Sequence, residues 1–202
     1  MKNRILLTVL LALVALCSKA QVYDGITQPT RWRVFVPVTT SLNSSHKTTV
    51  APFVGFKQDL GERLSITPVL QYNINNEAFI PQLWVNFNVA KKFYVLSRSI
   101  YNTKSNLYQH TLSATYKLPL NFMVDATWEN LYNGRKFADT DRLQFVGGWA
   151  WKMFVANAGY SCRAAPGFIA NVRWKVTDYN WLQLKYDGGM KSIQISAALQ
   201  FN

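Results

Sequence analysis

Residues 192–201 read Ser-Ile-Gln-Ile-Ser-Ala-Ala-Leu-Gln-Phe, and this stretch decides the fold. Ile193, Ile195, Ala197, Leu199 and Phe201 fall on one side of an extended chain, with Ser192, Gln194, Ser196, Ala198 and Gln200 on the other. Such a segregation follows because successive side chains of a strand point to opposite faces. The same alternation recurs back to residue 31. It predicts twelve strands, with ten as the alternative count, at roughly 31–42, 48–58, 63–74, 79–90, 93–102, 107–118, 121–132, 142–152, 154–162, 167–176, 181–188 and 192–201.

The first twenty residues read differently. Lys2 and Arg4 precede an apolar run from Ile5 to Leu16, and Ser18 and Ala20 place small residues before a cut, the pattern of a cleaved signal peptide over 1–20. A lipidated Cys17 is disfavoured by Leu16, because the residue before such a cysteine is normally small. Residues 21–30 would then be a short N-terminal periplasmic segment, and 31–202 the folded unit. Only Cys162 remains after cleavage, which excludes an intramolecular disulfide. Removing Lys2, Arg4 and Lys19 leaves nineteen basic against ten acidic residues, a balance of +9. These charges are scattered, which argues against nucleic acid.

Connections between the strands alternate in character. Tight ones are expected at Asp59–Glu62, Lys91–Lys92, Leu118–Asn121, Lys152–Met153 and Thr177–Asn180. Polar ones are expected at Asn43–Lys47, Asn75–Glu77, Thr103–Asn106, Asn133–Asp141, Arg163–Gly167 and Gly189–Lys191. Aromatics gather near both strand ends, including Tyr94, Trp149, Trp174 and Trp181 beside tight turns and Phe79, Tyr101, Tyr108, Tyr160 and Phe168 beside the polar ones. In this rhythm, these girdles and its C-terminal strand ending near Phe201, the chain resembles bacterial outer-membrane β-barrel proteins as a broad class. The resemblance implies an all-β, antiparallel, up-and-down transmembrane barrel over 31–202. It also implies a bacterial outer-membrane location, export through the signal peptide, insertion by the barrel-assembly machinery, and both termini in the periplasm. Membrane lipid and lipopolysaccharide are the expected partners; Lys47, Lys104, Arg135, Lys136, Arg163 and Lys191 would face its phosphates. No periplasmic partner can be named.

Alternation assigns Trp32, Val34, Leu70, Leu83, Val124, Phe145 and Val172 to lipid, and the opposite face to a hydrated lumen. The expected lumen-lining charges are Arg33, Lys57, Arg98, Asp125, Glu129, Arg173, Lys175, Lys185 and Asp187. Arg98 shares its face with Tyr94, Leu96 and Ile100. An arginine on the lipid side at mid-bilayer costs about 2–4 kcal/mol, so that face is turned inward. Pro37, Pro52, Pro68 and Pro81 fall inside strands although proline cannot donate to a ladder. Symmetric hairpins would place Pro37 and Pro68 opposite Phe53, forming a belt of defects that either bends the wall or gives lipid lateral access.

Catalytic chemistry is scarce. The mature chain has two well-separated histidines, His46 and His110, and one cysteine, so no metal site or cofactor is expected. Asp125 and Glu129 stand about 13 Å apart along one strand, too far for a paired acid and base. Barrel phospholipases place a catalytic His and Ser two residues apart on a lipid-facing strand; here Leu112 follows His110 at that spacing, and Ser113 faces the other way. An interfacial role for His110 is the simpler reading. The sequence thus favours a narrow, porin-like channel or structural envelope barrel with a net-positive lumen and leans away from an enzyme. The alternative is an outer-leaflet lipid-modifying or lipid-transporting barrel, with His110 and Ser105 as its candidates.

Overall fold

The structure, a computed structural model, describes residues 32–43, 46–130, 141–151, 153–177 and 180–201. The expected signal peptide, the segment 21–30, and Ser45, Arg135, Lys136 and Lys152 lie outside the described residues. Twelve strands follow in chain order. They are β1 (Trp32–Ser41), β2 in three segments (Thr48–Val50, Phe53–Phe56, Gln58–Asp59), β3 (Leu64–Asn73), β4 (Ala78–Ala90), β5 (Phe93–Asn102) and β6 (Leu107–Lys117). β7 (Phe122–Asn130), β8 (Asp141–Ala150), β9 (Phe154–Arg163), β10 (Gly167–Lys175), β11 (Trp181–Asp187) and β12 (Ser192–Phe201) complete the set.

Every strand pairs antiparallel with its chain neighbours, and β12 returns to β1 from Trp32↔Phe201 to Ser41↔Ser192. The sheet therefore closes with no free edge, the condition for crossing a bilayer with strands. Large apolar side chains lie on the outside: Leu70, Leu83, Phe87, Phe122, Val124, Phe145, Val172 and Trp174 are all exposed. Ser65, Thr67, Asn86, Thr111, Ser161 and Asn171 are buried inside. Apolar residues out and polar residues in is the inverse of a water-soluble barrel.

One rim carries the connections after β1, β3, β5, β7, β9 and β11, here the loop rim; the opposite turn rim carries the others and both strand termini of the barrel. Three loop-rim connections, 74–77, 103–106 and 188–191, share one construction. Their last residues, Glu77, Asn106 and Lys191, are left-handed, with φ of 51°, 54° and 47°. The side chain just before each turn caps it. Asn73 Oδ1 accepts from the amides of Asn75 and Asn76, Asn102 Oδ1 from Lys104 and Ser105, and Asp187 Oδ1 from Met190. Short carbonyl-bearing side chains do this because they mimic a backbone turn. These connections are as short as those at the turn rim, so among the described residues the expected contrast of long loops and tight turns is weak.

The proline register differs from the expectation. Phe53 faces Phe35 and Gln71, while Pro37 pairs with Ser196 and receives the Ala51 amide on its carbonyl at 3.2 Å. Pro68 sits opposite Leu83, and Pro81 opposite Leu70. The defect concentrates where Pro37 and Pro52 meet the break in β2, because Pro37 cannot return a hydrogen bond to Ala51. The Gln71 side chain fills that gap, its Nε2 donating to the Ala51 carbonyl at 2.9 Å.

Candidate functional site in the lumen

A cavity of about 340 Å³ opens inside the barrel. Arg33 reaches it from β1, Arg98 from β5, Arg173 from β10 and Lys185 from β11, and among the described residues lining it none is acidic. Gln71, Gln82, Gln183, Gln194 and Gln200 supply neutral hydrogen-bonding groups to the same space. Two of the arginines lie against tryptophan faces: Arg98 over Trp84 at 5.9 Å and Arg173 over Trp181 at 5.2 Å. An aromatic face attracts a guanidinium through its quadrupole. Trp84 is itself fixed by its Nε1 donating to Gln82 Oε1 at 2.9 Å, and Gln82 Nε2 donates to Gln71 Oε1 at 2.6 Å. These bonds run on through Gln71 to Ala51, so one relay braces both the cationic wall and the proline break.

A second cluster lies nearer the loop rim. Arg142 is buried, 2% exposed, and donates through Nη1 to Asp187 Oδ2 at 2.9 Å and through Nη2 to Oδ1 at 2.5 Å. Its Nη2 also donates to Ser161 Oγ at 3.0 Å, and Glu129 stands 3.7 Å from Nη1. Gln109 and Gln144 donate to the two Glu129 oxygens at 2.7 and 3.0 Å. Asp187 also lies 3.8 Å from Lys185 Nζ, which couples this acidic cluster to the cationic cavity.

The remaining expected lumen residues do other work. Lys57 pairs with Asp59 at 2.8 Å near the turn rim, and Asp125 accepts from Thr115 and Thr127 at 2.6 and 2.7 Å. Lys175 is opposite Trp181 at the turn-rim end of β10. Arg98 is among the residues lining the cavity. One expected girdle aromatic belongs inside, Trp181, which lines the cavity; Tyr94, on the face of Arg98, holds Lys117 at 5.7 Å from its ring. β11 begins on an inward position, which proximity to a turn does not reveal. Arg142 is not in the expected set, although the outward assignment of Phe145 implies its inward face.

No family model matches the chain, and no curated protein matches it. Among solved structures, the KdgM porin superposes with a TM-score of 0.58 over 84% of this chain and 98% of its own, at 5% identity. KdgM porin in complex with disordered oligogalacturonate superposes with a TM-score of 0.59 at the same coverage and identity. A mutant porin of Rh. blastica aligns at 0.45 over 55% of its length, too loosely to carry weight. The fold is a closed, twelve-stranded antiparallel transmembrane barrel that is similar to the KdgM porin.

Proposed function

We propose that this protein is a narrow outer-membrane channel whose lumen favours organic anions, carboxylates in particular. The observation that carries the reading is the cavity's charge: Arg33, Arg98, Arg173 and Lys185 converge on it from four strands. Guanidinium groups suit carboxylates because their planar donor fork matches two oxygens at once, and side chains of one sign in a confined lumen select by charge. Asp187 offsets Lys185 in part. The porin with a bound oligogalacturonate, a carboxylate-bearing oligosaccharide, shares the fold and adds support for an elongated acidic solute. In this reading the turn rim faces the periplasm, and Lys104 and Lys191 lie at the outer leaflet.

Liposome swelling tests the substrate class. Vesicles carrying the protein should admit galacturonate and its short oligomers faster than neutral sugars of equal size. Equal rates for the charged and neutral solutes would remove the anion claim.

A further inference from the structure

The lipid-facing side of the same wall carries a polar constellation that the channel does not use. His110 on β6 points outward, and β5 brings two serines to its ring. Ser99 Oγ lies 3.1 Å from Nδ1, and Ser97 Oγ lies 3.4 Å from Nε2. Ser99 is directly across the ladder from His110, with Ser97 one outward position nearer the turn rim. On the other side Asn130 of β7 is His110's partner in register, and the Trp128 ring packs at 6.0 Å. Leu112 occupies the position two residues after His110 on its own strand; strand pairing supplies the serines from the neighbour.

A lone interfacial histidine needs one hydrogen-bond partner. This one has a hydroxyl at each ring nitrogen, in a wall whose other outward residues are mostly apolar. Ionisable groups placed at bilayer depth are costly and mark function. The arrangement matches the roles of acyl-transfer chemistry: Nδ1–H donates to Ser99 and fixes the tautomer, which leaves Nε2 to accept the Ser97 proton.

Depth and a neighbouring groove point to the substrate. Tyr101↔Tyr108 is the next outward rung toward the loop rim, so the serines and His110 sit just inside the aromatic girdle, about 10 Å along the strand from the rim. That is where headgroup gives way to acyl chain. A groove of about 540 Å³ lies on the same lipid side, running from mid-strand toward the turn rim, floored by Ala114, Ala126, Gly147 and Ala158 and walled by Phe93, Tyr116 and Val124. Ala114 lies about 13 Å along β6 from His110, a spacing that suits an acyl chain running inward from its ester.

We propose that Ser97 and His110 form an acyl-ester hydrolysis site on the lipid-facing wall, acting on outer-leaflet lipids. Ser97 Oγ attacks the ester carbonyl as His110 Nε2 takes its proton. The C–O bond to the lipid breaks, and the departing alkoxide receives that proton from His110. Water, activated by the same nitrogen, then attacks acyl-Ser97 and releases a fatty acid and free serine. Ser99 is a positioning residue. The proposal is independent of the channel reading, because the lumen lies on the other face.

The test uses the full-length protein in vesicles of phosphatidylethanolamine, and separately of lipid A, with fatty-acid release and fluorophosphonate labelling mapped by mass spectrometry. Label on Ser97 with release from either lipid supports the proposal, and the arm that responds identifies the lipid. Ser97→Ala and His110→Ala should each lower release at least about 100-fold, with conductance and heat-resistant folding retained. Ser99→Ala should lower kcat about 10-fold and alter its pH profile, and Ser99→Thr should restore both. Gly147→Leu enters open space and should slow long-chain esters while sparing short ones. No label with no release from either lipid, or release unchanged in Ser97→Ala, would overturn the proposal.

Discussion

Arg142 on β8 and Asp187 on β11 form a two-pronged ion pair inside the barrel, bridging two intervening strands. Both are almost wholly buried, at 2% and 4% exposure, and Glu129 and Ser161 complete the arginine's surroundings. Such a pair is weak testimony to net stability, because desolvation opposes the attraction, yet removing one partner strands a buried charge.

Replacing Arg142 alone should therefore destabilise the barrel by about 3–5 kcal/mol. The double replacement Arg142→Met with Asp187→Leu should recover most of that loss. Urea unfolding from micelles measures both. Equal destabilisation in the single and double variants would show that the pair itself, and not the stranded carboxylate, supplies the stability.

Gln71 offers a second test, because its amide bonds the Ala51 carbonyl that Pro37 cannot serve. Gln71→Leu leaves that buried carbonyl unmet at a cost of about 1–3 kcal/mol. Amide hydrogen exchange should accelerate at Ala51 and Phe53 and remain slow in β9 to β12. Uniform protection around the barrel would show that the prolines leave no local weakness.

How much of this was legible in the sequence follows from what period two encodes. Alternation reports which face a residue takes, and it assigns Arg33, Arg173 and Lys185 to the lumen face, whereas Arg98 needs the added cost of an arginine in lipid. It is silent on register. That is why Pro37 was set opposite Phe53 instead of Ala51, and why the serines of β5 were not connected with His110 of β6. Trp181 illustrates another limit: proximity to a turn suggested an interfacial girdle, whereas its odd-numbered position beside Gln183 and Lys185 sends it into the lumen. The Arg142–Asp187 pair joins strands that are not neighbours, and no local pattern carries that information.

The orientation of the barrel makes a third prediction. A cysteine at Lys104, exposed on the loop rim, should react with a membrane-impermeant maleimide on intact cells. One at Leu120, on the turn rim and 82% exposed, should react only after the outer membrane is opened. Labelling of the Leu120 site on intact cells would invert the topology.

The most direct test of the central claim is the reversal potential of the purified protein in a planar bilayer under a tenfold potassium chloride gradient. The account predicts anion preference, which the double variant Arg98→Glu with Arg173→Glu reverses toward cations, because those residues reach the cavity from opposite parts of the wall. Cation preference in the unaltered protein, or no conductance at all, would contradict it.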